Sequence, residues 1–166
     1  MIPPKLKKGD EVRIVTPARS MSMPWIQAIK DQAHKKLSGM GFTVTYGKHI
    51  EERDEFDSSP VTARVADLHD ASSDKHVKAI VTVIAGSNSN QLLDALDYEL
   101  IKNNPKILCG YSDITALANA IYTKTGMVTY SGPHFFTFGD KEGIDYTEEY
   151  FKKCLMQEKP FQIKPS

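Results

Sequence analysis

The sequence has 166 residues and no net charge, because 21 basic side chains balance 21 acidic ones. Its 40% apolar and 25% charged content is typical of one soluble globular domain, and no basic surplus favours binding to nucleic acid or to a membrane surface. No apolar window approaches ~20 residues, so no transmembrane helix is predicted.

Cysteine and histidine usage predicts a cytoplasmic protein without a metal. The chain has two cysteines, Cys109 and Cys154, without metal-ligand spacing, which fits a reducing compartment. The N-terminus "MIPPKLKKGD" lacks the apolar stretch of a secretory signal. No pair among the five histidines has zinc-ligand spacing with a third partner nearby. We therefore expect no metal and no cofactor.

Apolar, β-branched runs bounded by turn residues predict strands in five places. The third run, "KAIVTVIAG", is apolar on both faces, which is typical of a central strand in a parallel sheet covered on two sides. The segments predicted as strands are 11–17, 42–46, 78–86, 106–110 and 127–130.

Segments with helical spacing of apolar residues alternate with these strands. One of them opens at Ser59-Pro60, a predicted N-cap followed by a first-turn proline. This alternation predicts an α/β fold, an open and mostly parallel sheet with helices on both faces, as in Rossmann-like domains. Ligands of such sheets bind beyond the carboxyl ends of the strands, here at loops 16–24, 86–90 and 110–113. The predicted helices cover 24–41, 59–74, 87–104, 113–126 and 147–157.

The stretch "CGYSDIT" places Ser112 where the fourth strand turns into a helix. A sharp strand-to-helix turn can hold a serine exposed, with backbone N–H groups and the helix N-terminus favouring an oxyanion beside it. Gly110 leaves room for the turn, but Ile114 stands where the usual nucleophile elbow has a second glycine. The alternative is that Ser112 or Asp113 merely caps the helix.

A second polar loop, "VIAGSNSN", follows the third predicted strand. Gly86 allows a ligand to approach the backbone, and the Ser and Asn side chains after it can donate hydrogen bonds. The loop has neither the P-loop spacing nor G-x-G-x-x-G. The alternative is that Asn88 or Ser89 caps the next helix. His134, after the fifth predicted strand, could approach the same edge, but its spacing does not support its use as a catalytic base.

Four blocks of sequence together resemble a known family. They are "VTPARS" (15–20), "AGSNSNQLLDALDYELIKNNPKILCGYSDITAL" (85–117), "TYSGPHF" (129–135) and "FQIKPS" (161–166). On these residues the chain resembles the N-terminal domain of the serine LD-carboxypeptidases, in the branch that includes the microcin C immunity peptidases.

The resemblance implies functions for individual residues. Ser112 would be the nucleophile that attacks an amide carbonyl next to a free carboxylate. The oxyanion hole would use the backbone N–H groups of Asp113 and Gly86, although family members often have Gly-Gly where this chain has Ala85-Gly86. The residues expected to bind substrate are Ala85, Ser87, Asn88, Ser131, Gly132 and Pro133.

The resemblance also implies a domain organisation and a substrate class. Residues 1–160 would form the nucleophile domain and residues 161–166 the start of an interdomain linker. The glutamate and histidine that activate the serine would come from a C-terminal domain absent from this chain. A serine without its base is a weak nucleophile, so we expect little activity from the chain alone. The expected substrates are aminoacyl-nucleotide antibiotics or tetrapeptide stems of peptidoglycan.

Two other functions remain open at this point. The pocket could bind an aminoacyl nucleotide or a muropeptide without turnover, or the chain could be an unrelated small α/β domain in which Ser112 is a cap. The face toward a second domain should expose apolar side chains, which favours a homodimer. The residues expected on that face are Phe135, Phe136 and Phe138.

Overall fold

A four-stranded parallel sheet forms the centre of the fold. The computed structural model describes residues 1–140 and 142–165. The sheet is open, all its pairings are parallel, and its third strand is buried on both faces, which confirms the predicted α/β class. The spatial order is β2-β1-β3-β4, with β1 (Glu11–Val15), β2 (Thr43–Tyr46), β3 (Val77–Thr82) and β4 (Ile107–Cys109).

The prediction of a fifth strand at 127–130 is wrong. Within the described residues this segment contributes one isolated parallel bridge, between Tyr130 and Cys109. Tyr130 N–H donates to Leu108 O at 2.9 Å, but Val128 N–H donates to Met1 O at 2.8 Å. Because the N-terminus accepts the bond that a longer ladder would need, regular pairing does not extend along this segment.

The third strand is shorter than predicted, because β3 ends at Thr82 and not at Gly86. Beyond that point the carbonyls of Thr82 and Val83 accept bonds from Phe135 N–H at 2.9 Å and Phe136 N–H at 3.0 Å. These donors come from a loop that is distant in the sequence, so the carbonyls bond to that loop and not to a neighbouring strand. The residues after Val83 are therefore free to form a loop at the carboxyl edge of the sheet.

The helices follow the predicted alternation, with three differences. The helix predicted at 87–104 is a 3-10 turn at 89–92 and a separate helix at 98–103, because Leu93 N–H and Ala95 N–H bond to carbonyls three residues back and Asp97 caps a new helix. The segment predicted as one helix at 24–41 is two, because the turn tightens where Ile29 N–H bonds to Ile26 O at 3.1 Å. Ser59 is not an N-cap, since its hydroxyl is buried without a partner among the described residues. The helices are α1 (Pro24–Gln27), α2 (Lys30–Gly39), α3 (Val61–Ser73), α4 (Tyr98–Asn103), α5 (Thr115–Thr125) and α6 (Asp145–Met156). Short 3-10 turns cover Ser89–Leu92, Ser112–Ile114 and Phe136–Gly139.

Two apolar clusters cover the two faces of the sheet. On one face, Ile14 and Val81 pack with side chains of α2 and α6 such as Leu37 and Phe151. On the other face, Val15, Ile80 and Leu108 pack with α3, α4 and α5, through Leu68, Ile101 and Leu117. Alternate residues of β1, β3 and β4 thus pack into opposite clusters, and the prediction of helices on both faces is confirmed.

The expectation that the phenylalanines at 135–138 form an exposed face is wrong. Phe135 and Phe138 are both 0% exposed, and Phe136 is partly buried against Trp25 with the ring centroids 5.0 Å apart. Phe138 packs edge-on against Phe151 of α6. These rings fill the core between the sheet and the helices, so they provide no surface for the expected homodimer.

The C-terminal segment lies against α6 and does not extend away from it. The hydroxyls of Tyr146 and Tyr150 donate to Lys164 O at 2.8 Å and to Gln162 O at 3.2 Å. Ser166, the last residue of the expected linker, lies outside the described residues, as does Lys141. In the described ranges, no helix has the length and apolar character needed to cross a bilayer.

Candidate active site

Ser112 lies in a strained turn between β4 and α5. Its φ is +60°, in the left-handed region that non-glycine residues rarely adopt, and its side chain is exposed. Gly110 fits this turn because a Cβ there would overlap the Thr82 hydroxyl. The 3-10 turn Ser112–Ile114 then leads directly into α5. This is the backbone geometry of a nucleophile elbow, reached without the second glycine.

The capping alternative does not match this geometry. Neither the 3-10 turn nor α5 has a side-chain hydrogen bond at its N-cap. Asp113 uses its carboxylate elsewhere, as described below. The strain at Ser112 therefore has no local compensation from capping, and strain of this kind occurs preferentially at functional sites.

The strain at Ser112 predicts which of two variants of the chain is more stable. Ser112→Gly is expected to have a free energy of unfolding about 1 kcal/mol higher than Ser112→Ala, because glycine adopts positive φ without the Cβ penalty. Urea denaturation of the two variants measures this difference. Asn119, which is exposed within α5, provides the control. There the glycine variant should have a lower free energy of unfolding than the alanine variant, since glycine weakens a helix. A less stable Ser112→Gly would contradict the strained geometry.

A second loop of the site, residues 85–89, follows β3 and is called the glycine loop here. Gly86 lies against the segment after β1, where a Cβ would come 3.0 Å from Ala18 Cβ. Among the described residues, none accepts a hydrogen bond from Gly86 N–H, which leaves this donor available to a ligand. Ser87 is exposed and Ala85 is partly buried.

Asp113 connects the elbow to the glycine loop. Its Oδ2 accepts hydrogen bonds from Asn88 N–H at 3.2 Å and from Ser89 N–H at 3.1 Å. In return, the buried Ser89 hydroxyl donates to Asp113 O at 2.8 Å. The two loops that carry the predicted oxyanion donors are therefore fixed to each other by three hydrogen bonds.

Asn88 is engaged by the protein on three sides. Besides the Asp113 contact, its Nδ2 donates to Ser58 Oγ at 2.7 Å, and its carbonyl accepts from Arg64 Nη1 at 3.2 Å. It makes no side-chain capping bond to the 3-10 turn that follows. This geometry favours a bracing function for Asn88 over the predicted contact with substrate.

Residues 131–133 pass over the end of β4. A Cβ on Gly132 would come 2.8 Å from Cys109 Sγ, so this close approach requires glycine. Ser131 is exposed, and Ser131, Gly132 and Pro133 line an open cavity of about 380 Å³ together with Tyr146 and other residues of α6. The structure thus places this predicted segment beside the strand that leads into the elbow.

His134 is buried next to the elbow, in contact with Tyr111 and Thr82. It is 2% exposed, its Nδ1 lies 2.6 Å from Thr82 Oγ1, and its ring packs on Tyr111 with centroids 4.4 Å apart. Burial lowers the pKa of His134 to about 4. A neutral imidazole with so low a pKa is a poor proton acceptor for a serine near pH 7.

No activating base for Ser112 is evident in the described part of the chain. Ring nitrogens of His34, His49 and His69 bond to Tyr46, Glu52 and the Asp97 N–H, away from the elbow. The same described residues contain no group of three or more His, Cys, Asp or Glu side chains that could hold a metal ion. The described residues therefore bring the predicted nucleophile and the predicted oxyanion donors together without a base beside them.

Two contributing residues were missed at the level of sequence. Arg64 is buried at the inner face of α3, where it contacts both the glycine loop and the segment after β1. The sequence could have indicated Arg64, because it lies at helical spacing with Val61, Val65 and Leu68 on the face of α3 that packs inward. A charged side chain on that face needs buried hydrogen-bond partners. Thr82, which packs against Gly110 and bonds His134, had no such signal.

Comparisons with known proteins identify relatives of this chain. The carboxypeptidase candidate YocD of Bacillus subtilis is 62% identical over 162 residues, which are 98% of this chain and 50% of YocD. The structure of an MccF-like protein from Bacillus anthracis superposes with a TM-score of 0.96 at 54% identity, covering 100% of this chain and 50% of that one. The structure of microcin C7 self-immunity protein MccF, solved with aspartyl sulfamoyl adenosine, superposes with a TM-score of 0.92 at 29% identity. The match covers 99% of this chain and 50% of MccF.

The chain thus spans about half the length of the relatives that it matches. Residues 12–132 match the family model described as the LD-carboxypeptidase N-terminal domain, a range that contains the elbow, the glycine loop and Gly132. The chain therefore belongs to the LD-carboxypeptidase family.

Proposed function

We propose that the chain is the nucleophile-bearing half of a serine peptidase or amidase that cleaves an amide next to a free carboxylate. The observation that carries this proposal is the exposed Ser112 at φ +60°, directly between β4 and α5. A serine in that position presents its hydroxyl to a ligand at the carboxyl edge of the sheet.

In this mechanism Ser112 Oγ attacks the amide carbonyl and forms a tetrahedral intermediate. The negative charge develops on the former carbonyl oxygen, and the N–H groups of Asp113 and Gly86 are the proposed donors to it. Support comes from the Gly86 N–H, which has no acceptor among the described residues, and from the hydrogen bonds that fix its loop to Asp113. Ala85, Ser87 and residues 131–133 border the same edge and are proposed to contact substrate.

The proton of Ser112 must pass to a base outside the described residues. In the related family a glutamate and a histidine from a second domain activate the serine, and this chain matches about half of its relatives. A serine hydroxyl without an adjacent base is a weak nucleophile. We therefore propose that residues 1–160 act as a nucleophile domain with little activity of their own.

Two substrate classes fit a scissile amide next to a carboxylate. An aminoacyl nucleotide is favoured by the structural likeness to MccF, which was solved with aspartyl sulfamoyl adenosine. A peptidoglycan tetrapeptide is favoured by the family description, LD-carboxypeptidase. The proposed attack by serine is the same for both substrate classes. The pocket that binds the leaving group determines which of the two classes is cleaved.

The test uses a fusion of this chain to the half of YocD that it does not match, called the fused enzyme here. It is incubated separately with an aspartyl nucleotide analogue and with a peptidoglycan tetrapeptide, and the released amino acid is quantified. Release from either one, abolished by Ser112→Ala, supports the proposal and identifies the class. Saturable binding of either compound without release would favour the non-catalytic binding module, and neither binding nor release would refute both functions.

A further inference from the structure

The glycine loop has little regular structure to fix Gly86. The loop runs from the end of β3 to the 3-10 turn at Ser89, and it must hold one N–H in a defined direction if that N–H is to stabilise an oxyanion. Loops without such restraints are mobile. The contacts of the residues around Gly86 therefore decide whether the donor is preorganised.

A buried guanidinium spans the two segments on either side of Gly86. Arg64 Nη1 donates to Pro17 O at 3.1 Å and to Asn88 O at 3.2 Å, and Nη2 donates to Gln91 Oε1 at 2.7 Å. The residue is 3% exposed. A charge this deeply buried is costly unless its donors are satisfied. Carbonyl oxygens from two different segments accept from Nη1 and the Gln91 side chain accepts from Nη2, whereas Nε has no partner among the described residues.

Carboxylates help to keep this charge. Burial lowers the pKa of Arg64, and the nearby carboxylates of Asp54 and Asp113 oppose that shift. Because a guanidinium remains protonated in proteins, Arg64 stays a cation at any working pH. Arg64 and Asp113 thus form opposite charges on either side of the glycine loop.

The Asn88 backbone lies between these two charges. Its N–H donates to the Asp113 carboxylate at 3.2 Å, and its C=O accepts from the Arg64 guanidinium and from Gln91 N–H, each at 3.2 Å. Asn88 is two residues after Gly86, so fixing its peptide groups restricts the loop just beyond the donor. The Arg64 bond to Pro17 O fixes the opposite wall, next to the Ala18 side chain against which Gly86 packs.

We propose that Arg64 is a positioning residue that sets the direction of the Gly86 N–H by holding Pro17 and Asn88 at a fixed separation. This inference rests on the proposed function, because it assigns Arg64 to the oxyanion donor of that reaction. Arg64 is not proposed to touch substrate, because its Nη donors bind groups of the protein. It acts through the peptide groups that it binds, with Asp113 as its counterpart from the elbow.

The test compares Arg64→Lys with Gln91→Ala. Lysine keeps the positive charge but lacks the planar fork that reaches Pro17 and Asn88 together. Gln91→Ala removes the outer partner of Nη2 and leaves both of the Nη1 contacts, so it is the matched control. Both variants are made in this chain for amide NMR and hydrogen exchange, and in the fused enzyme for kinetics.

In Arg64→Lys we expect the amide signals of Gly86 and Asn88 to shift, and the Asn88 N–H to exchange about 10-fold faster. In the fused enzyme kcat should fall about 10- to 100-fold while KM stays within about twofold, because a misdirected oxyanion donor weakens only the transition state. Gln91→Ala should change neither result. Urea denaturation confirms that both variants remain folded at the assay temperature.

Two results would overturn the inference. One is an unchanged set of glycine-loop signals in Arg64→Lys. The other is a kcat that does not respond to Arg64→Lys although Ser112→Ala abolishes turnover. If the unmodified fused enzyme cleaves neither substrate, the proposed function fails instead, and the Gly86 and Asn88 signals of this chain alone decide whether Arg64 fixes the loop.

Discussion

Replacing Ser112 by alanine is expected to lower kcat of the fused enzyme by about 10⁴-fold or more, with KM changed by less than about twofold. The hydroxyl is the only group lost, and it is the group proposed to form the covalent bond to the substrate carbonyl. The proposed ground-state contacts, from the glycine loop and residues 131–133, do not depend on it. Initial rates of amino-acid release over a range of substrate concentrations separate the two constants.

The control for this prediction is Ser38→Ala, which removes an exposed hydroxyl on α2. It should leave kcat and KM unchanged. Both alanine variants should also retain the circular dichroism spectrum of the parent, since neither serine side chain contributes to the apolar clusters. Turnover by Ser112→Ala at more than about a tenth of the parent rate would exclude Ser112 as the nucleophile.

Acidification from pH 7 to pH 4.5 is expected to destabilise the chain by about 2 kcal/mol through His134 alone. Its pKa in the folded chain is about 4, against 6.5 for an unperturbed histidine. Between these values the unfolded chain binds a proton and the folded chain does not, so stability falls as the pH falls. The cause is the burial of the ring beneath Tyr111, which disfavours the imidazolium.

The measurement is the urea midpoint of the chain and of His134→Asn at both pH values. The asparagine keeps a polar atom near Thr82 Oγ1 but cannot titrate. The destabilisation on acidification should therefore be about 2 kcal/mol smaller in this variant, and other titrating groups cancel in the comparison. His76→Asn, at an exposed position, should behave like the parent. Equal pH dependence of the parent and His134→Asn would show that His134 is not buried as described.

The fold class was predictable because it depends on local patterns. The β-branched runs and the helical stripes alternate clearly, and the first four runs were placed within a few residues of their strands. The ends of the elements were less predictable, since they depend on distant partners. β3 ends where Phe135 N–H bonds to Thr82 O, and the segment at 127–130 loses its pairing to Met1 O. No window of sequence contains those partners.

The site was predictable to the extent that it is encoded in contiguous residues. "GYSD" indicated the elbow, and Gly86 indicated a close backbone approach. The bonds from Arg64 to the glycine loop and to the segment after β1 were not predictable, because Arg64 reaches both from α3 across the fold. The phenylalanines at 135 and 138 were misassigned because they stand in a glycine-rich loop, where sequence alone does not reveal that the loop folds back onto the core.

We propose that Ser112 is a nucleophile that this chain positions and that a base outside the described residues activates. The most direct measurement is the intact mass after reaction with a fluorophosphonate at neutral pH. We expect one adduct on the fused enzyme, none on its Ser112→Ala variant and none on the folded chain alone. An adduct on Ser112→Ala, or rapid labelling of the chain alone, would contradict the claim.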